Sequence, residues 1–490
     1  MLNQLDFVEL QEINQNQVSE LRKALAAGTG TDSALFTGGR ALQVESLELT
    51  LVNAVFSQDE AKLFKIIKQR EATATVHEFT RRDDVGADYG GVAEEGGDSM
   101  GTDQDLKRVT VPMKTLSTKR EVTLHMLATN SLDDAKAGEK LSGTLTLIRR
   151  LEKLMFTGDS SIVPAEFDGL DVSIPGDINK FGGVAGSIDE NIIDLRGEAI
   201  NNASGAGREA INSATRIVRE NYGKADNLFM SLPVMQDLQS LITDNIRYLA
   251  PNATQEETVG NLHFNTYPTT FGTLTLQDDV FIRERGISKT SISPNKPLAI
   301  AAAPTVVVNA AISPEVSHFV AGDNGNYYYM ITTENKYGES DPYFHTVAAA
   351  VGVGDVVRFT SIPVAAGTGS TTPTGVRIYR SKLGVNPGAD INGYKLIGRF
   401  AWDTPSAVLT TAKDQNAYLP DTSDAYILTC DPVYMALEWF QLLPLMEFTL
   451  YPVSAATYPF LVLLVGALGI KIPKRHVRLM NIGHTSGWYS

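Results

Sequence analysis

Residues 72–80 and 109–124 are rich in Thr and Val, and between them residues 81–108 are crowded with glycine and acidic side chains. Such runs fit pleated strands, so the pair reads as a long two-stranded ribbon with an acidic tip. In the second run Val109, Val111 and Met113 alternate with Thr110, Pro112 and Lys114. Proline lacks the donor that a central strand needs and is tolerated where one edge is unpaired, as in a lone ribbon. A strand of this length spans roughly 30 Å. An isolated hairpin of that size buries too little to be stable alone. The ribbon must therefore lie against something else, and a neighbouring copy of the chain is the expected support.

Before the ribbon, Leu47, Leu51, Val55, Leu63 and Ile67 recur at helical intervals across residues 44–69, with a second helix start at Ser57-Gln58-Asp59-Glu60. Residues 29–40, rich in Gly, Thr and Ser, read as an extended linker. After the ribbon, Leu141, Leu145, Ile148, Leu151 and Met155 mark one face of a long helix over residues 132–157. Arg149, Arg150, Glu152 and Lys153 mark the other face, and Gly158 is the stop. Gly158, Gly169 and the stretch 182–186 suggest loops around a short strand. Helices are expected over 194–203 and 208–222, then a buried strand at 227–231, and Pro233 suits the first turn of another helix. This succession, without a glycine-rich turn after an early strand, points to an α+β domain and away from a nucleotide-binding fold.

The pattern shifts near residue 292. From 292 to 424 helical periodicity is nearly absent, and 305–309, 327–333, 356–360, 376–380 and 395–401 read as short strands of a β-sandwich. Residues 434–443 resume a helix-like spacing and 460–472 read as a buried strand, so the sandwich is an insertion and the first domain closes behind it. The apolar run 460–470 is about half the length of a bilayer crossing, and no membrane partner is expected. The first residues, MLNQLDFVEL, lack the basic start and apolar stretch of a secretory signal, so synthesis and retention in the cytoplasm are expected. The single cysteine, Cys430, excludes an internal disulfide. A formal net charge of −15 disfavours a general grip on nucleic acid, which depends on clustered Lys and Arg.

The order of arm, acidic-tipped hairpin, long helix, α+β domain and returning strand resembles the major capsid proteins of tailed double-stranded DNA phages with the Hong Kong 97 fold. Gly158-Asp159 followed by Gly169-Leu170, and the closing Pro459-Phe460-Leu461-Val462-Leu463-Leu464-Val465-Gly466-Ala467-Leu468, add local likenesses. The segment around Tyr327-Tyr328-Tyr329-Met330-Ile331-Thr332-Thr333 and Gly338-Glu339-Ser340 is similar to fibronectin type III or immunoglobulin-like domains. The resemblance implies an N-terminal arm (1–70), an extended loop (71–125), and a peripheral domain with spine helix and the first part of an axial domain (126–291). The inserted sandwich (292–424) and a closing axial and peripheral part (425–490) follow. It implies hexamers and pentamers in an icosahedral head shell within the virion, assembled in the host cytoplasm around packaged double-stranded DNA that is touched weakly and without specificity. About seventy residues precede the loop, which leaves room for the arm alone, so a separate scaffolding protein is expected, with a portal, and with a cement protein as a further candidate. No cofactor, metal or enzymatic role is expected.

Asp83, Asp84, Asp88, Glu94, Glu95, Asp98, Asp103 and Asp105 form the densest carboxylate group, without the spacing of a calcium loop. As inter-subunit contacts the candidates are Asp84, Asp88, Glu94, Glu95 and Asp98, facing Arg149 and Arg150, or the basic stretch with Lys474 and Arg475, on a neighbour. Tyr327, Tyr328 and Tyr329 alternate faces of a strand, so an exposed one is a candidate for the insertion's surface and for host-surface glycan. The rival readings are a phage tail sheath or tube protein, and a cytoplasmic hydrolase with a carbohydrate-binding sandwich.

Overall fold

The computed structural model describes residues 60–86, 95, 103–128, 134–174, 191–201, 205–246, 265–282, 288–312, 315–363, 369–402, 408–409, 412–452 and 456–489. The expected linker at 29–40, the helical spacing before residue 60, the stretch 182–186, and Asp88, Glu94 and Asp98 lie outside the described residues. The chain divides into two units, residues 1–55 with 128–134 and residues 56–127 with 135–490. Only Ala128 and Asp134 of the first are described, and all the elements that follow belong to the second.

The ribbon forms from Val76–Asp84 and Asp105–Pro112, antiparallel, with Val76 opposite Pro112 and Arg81 opposite Lys107, and it is a separate two-stranded sheet. The second run does not stay in it. At Met113 the chain changes partner, and Lys114–Thr123 becomes the edge of a four-stranded sheet ordered Lys68–Glu71, Leu437–Thr449, Thr457–Ile470, Lys114–Thr123. Pro112 thus stands where the ladder ends, a position that needs no donor. The expected helix over 44–69 is reduced, among the described residues, to Lys62–Ile66, and Lys68 and Gln69 are strand.

Ala135–Thr157 is the long helix, and it lies on one face of this sheet. Leu145, Leu151 and Met155 are buried as expected, Leu141 is exposed, and Glu152, expected on the polar face, is fully buried. The helix-like spacing at 434–443 belongs instead to the strand Leu437–Thr449. Here the sheet is covered by the helix on one face and the ribbon on the other. Apolar residues therefore need not alternate, and the strand imitates a helical period.

A second core forms around a six-stranded sheet ordered Ile192–Asp194, Val477–Ile482, Ser423–Leu428, Asn227–Met230, Gly272–Asp278, Thr266–Thr269. Ile211, Ala214 and Val218 of the helix Ala206–Glu220, with Val234 and Leu238 of the helix Leu232–Ile246, bury against it. The helix expected over 194–203 is absent from its described part. Asp194 ends a strand, and Arg196 (φ 53°) and Gly197 (φ 87°) turn the chain through left-handed conformations that no helix continues.

Between Thr305 and Asp414 the chain builds two antiparallel sheets. One places Tyr343–Val351 and Gly338–Glu339 on one flank of Gly325–Asn335, followed by Gly375–Ser381 and Tyr394–Ala401. The other sets Thr305–Ala310 on one side of Asp355–Pro363, with Val408–Leu409 and Lys413–Asp414 on the other. Tyr329, Ile331, Val376 and Ile378 of the first share a core with Val357, Phe359 and Ile362 of the second, the Tyr329 and Phe359 rings meeting edge to face at 5.2 Å. All five expected strands are present; Tyr343–Val351 was not legible, because its Ala348-Ala349-Ala350 has poor strand propensity. The result is a mixed α+β chain dominated by sheets. Among the described residues no helix is long and apolar enough to cross a membrane.

Candidate assembly surfaces

The base of the ribbon is seated. The His77 ring lies 4.0 Å from that of Phe440, Phe79 packs beside them, and Arg81 donates to the Lys471 carbonyl at 3.5 Å. Farther out Val85 and Leu106 are exposed. The acids near the tip are partly neutralised within the ribbon. Arg81 bonds Asp83, and Lys107 reaches Asp83 at 3.0 Å and Asp105 at 3.3 Å. The Arg81 guanidinium first, and the Lys107 ammonium with it, hold the Asp83 carboxyl down to about 2. Asp84 stands opposite Asp105 in the ladder, and Glu95 is exposed.

Of the basic candidates, Arg149 is exposed, and Arg150 meets Glu166 of its own chain at 3.2 Å. The stretch around 471–478 is not a cationic face. Lys471 pairs with buried Glu438 at 2.5 Å, and Arg478 is buried against Asp424 at 2.6 Å and Asp171 at 3.2 Å. Arg475, expected at an inter-subunit contact, is half-buried and donates to the carbonyls of Asn221 (3.2 Å) and Tyr434 (3.4 Å), closing the end of the helix Ala206–Glu220. Lys474 remains exposed. Tyr327 and Tyr329 are corrected as surface candidates: both are buried, their hydroxyls donating to the Asp323 carbonyl and the Asp414 carboxylate. Alternation along the strand leaves only Tyr328 half-buried.

A surface that the sequence did not reveal lies on the ribbon side of the four-stranded sheet. Directly opposed residues of an antiparallel ladder share a face. Phe440 opposite Ala467 is thus aligned with Leu443 opposite Val465, Met446 opposite Leu463 and Phe448 opposite Leu461. The ribbon covers Phe440, whereas Leu443, Met446, Leu461 and Leu463 are only partly buried and Phe448 is 44% exposed. Beside them Tyr451 is 91% exposed. No signal in the sequence separates this half of the strands from the covered half, because both are equally apolar.

The interior holds one unusual electrostatic arrangement. Glu152 of the long helix is buried, with the buried carboxyl of Asp279 as its neighbour. Its two oxygens accept the backbone N–H groups of Leu63 (2.6 Å) and Phe64 (3.2 Å). Asp279 Oδ1 accepts from Phe281 N at 2.7 Å, while Oδ2 meets no protein donor. A proton retained on Glu152 would supply the missing donor. Burial, and for Glu152 the neighbouring Asp279 charge, push Glu152 up to about 8 and Asp279 up to about 6.

No family model matches the chain. Among curated proteins it is similar to the major capsid proteins of Staphylococcus phage S25-3 and Staphylococcus phage K, each 23% identical over 468 residues that cover 94% of both chains. The putative major capsid protein of Enterococcus phage phiEF24C is 23% identical over 481 residues, again covering 94% of both. Among solved structures it is similar to the capsid of the native GTA particle (TM-score 0.44, 9% identity, 93% of this chain and 100% of that one). The capsid of Myoviridae phage XM1 gives a TM-score of 0.43 and 10% identity, over 91% and 98%.

Proposed function

We propose that this chain is a major capsid protein of a tailed phage, a subunit of the icosahedral head shell that encloses the double-stranded DNA genome in the virion. The reading is supported by curated relatives bearing that name along 94% of both chains. The observation that carries it physically is the pairing of a lone two-stranded ribbon with an uncovered apolar sheet face beside it. Among the described residues the outer part of the ribbon and this half of the face are left partly exposed, and each gains by covering a neighbour. The work of the protein is then assembly and not catalysis.

At finer grain the subunit is a Hong Kong 97-type fold. The ribbon serves as its extended loop, Ala135–Thr157 as its spine helix, and the six-stranded sheet as the centre of its axial domain. Copies associate as hexamers and pentamers, guided by a separate scaffolding protein and a portal. The two-sheet segment is an immunoglobulin-like insertion exposed on the outer face of the shell, with packaged DNA on the inner side.

Negative-stain microscopy of the chain expressed with and without its candidate scaffold tests this. Closed polyhedral particles, or rosettes of five and six, are the expected outcome. Tubes would replace the reading with a tail protein, and persistent monomers with an ordered ribbon would overturn it.

A further inference from the structure

We infer that residues 288–416 form a rigid brace, tying the end of the long helix to the edge of the six-stranded sheet, and not a tethered decoration. The inference concerns the role of the insertion within one subunit and stands whether or not the capsid reading does.

The first tie is Arg399. Its Nη1 donates to the carbonyl of Thr157, the last residue of the long helix, at 2.8 Å. Nη2 meets Glu166 at 3.3 Å, and Nε meets Glu334 at 3.0 Å. Glu166 also holds Arg150 of the helix at 3.2 Å, and Glu334 holds Arg377 at 2.6 Å, so a chain of alternating charges runs from helix to insertion. Packing is close at the same place: a Cβ on Gly375 would lie 2.5 Å from Ile162 Cγ2.

The second tie is Arg196, just beyond the strand Ile192–Asp194. It donates to the carbonyls of His318 and Asn416, the latter at 3.2 Å. Asn416 is itself fixed by Asp323 at 2.8 Å and by Arg380 at 2.7 Å. Arg380 is buried against the rings of Phe319 and Tyr327 and bonded to Asp414 at 2.8 Å. Tyr489 reaches Arg380 and packs over Gly197.

Glu334 lies near one end of the strand Gly325–Asn335, and Asp323 just outside the other. An eleven-residue strand spans about 35 Å. The chain crosses into the insertion at the Glu334 end, where Ser291 N donates to the Glu339 carbonyl, and leaves near the other, through Asp414 and Asn416. A domain that swings needs its two crossings close together to form a hinge. Here they are separated by the length of the sandwich, and each is reinforced by an arginine whose partners include backbone carbonyls across the junction.

Hydrogen exchange by mass spectrometry on the full chain tests the brace, comparing Arg399→Met, Arg196→Met and the double variant. In the first, Glu334 keeps Arg377, so no buried acid is stranded. Expected are modest rises in exchange at residues 158–167 and 195–201 in the respective single variants, a rise in the double variant greater than their sum, and unchanged protection of Gly325–Asn335 throughout. Arg399→Lys should recover only part of the loss, since an ammonium cannot hold three partners in the guanidinium's fixed fork. Additive or absent effects overturn the brace. So does loss of protection in Gly325–Asn335 in a single variant, because the arginines would then serve the insertion's own fold.

Discussion

Glu152 and Asp279 show how one proton can join two parts of a chain. Both carboxyls are pushed above their ordinary range because burial disfavours charge, and Glu152 also because the Asp279 charge repels its own. An acid whose folded pKa is raised binds its proton more tightly when folded. Its stabilising contribution is complete below the unfolded value near 4.5 and is lost as pH rises through about 8. The thermal midpoint should therefore fall between pH 6 and pH 9, and in Glu152→Gln the fall should be much smaller, at a cost of about 1 kcal/mol near pH 6 from the altered hydrogen bonding to Leu63 and Phe64. An unchanged pH profile in the variant would refute the retained proton. None of this was legible in sequence: Glu152 sits in the run Arg149-Arg150-Leu151-Glu152-Lys153, which reads as a solvated face, and its partner is far along the chain. The carbonyls that Arg475 caps were equally hidden, since a charged side chain reports nothing about the backbone it will meet.

At the scale of elements, the ribbon was legible because strand runs, glycine and acid leave a local signature, and its division at Met113 was not, because both halves are equally strand-like. What distinguishes them is the partner. Val109 and Val111 pair in the ladder with Phe79 and His77 of the ribbon, while Leu116 and Val122 pair with Leu464 and Tyr458 and are buried in the core under the long helix. Phe440 is the anchor of the ribbon's base, and Phe440→Ala should cost about 3–5 kcal/mol. The same variant should make residues 76–84 and 105–112 the first sites of limited proteolysis, with the cut then falling in the ribbon before the cores open. If cleavage began elsewhere, the seating of the ribbon on Phe440 would be of no consequence. The misread spacing at 434–443 has the same origin: a strand covered on both faces carries no alternation to read.

For the whole molecule, the order of elements and the two-sheet segment were the readable part, since turn residues and β-branched runs recur there at regular intervals. The sheet face left partly exposed among the described residues was unreadable, because exposure depends on what fails to pack and not on what is present. Phe448→Ser with Leu461→Ser should leave the fold of the isolated subunit within about 1 kcal/mol, as expected for surface positions, while abolishing association in sedimentation experiments. Association at wild-type levels would remove this face from the assembly. Asp83, held ionised by Arg81 and Lys107, gives the ribbon a different pH response. Its carboxyl should stay charged down to about pH 2, visible as a carboxyl resonance that does not titrate across pH 3–5.

The four-stranded sheet under the ribbon and the six-stranded sheet both take joining strands from the far end of the sequence. Leu437–Thr449 and Thr457–Ile470 fill the centre of one, and Ser423–Leu428 and Val477–Ile482 join the two sides of the other. On the ribosome, then, both of these sheets wait for strands that emerge after residue 422 before they can close. A chain stopped before residue 423 therefore completes neither of these two sheets. The two-sheet segment, whose strands all precede that point, is free to fold while the rest of the chain waits.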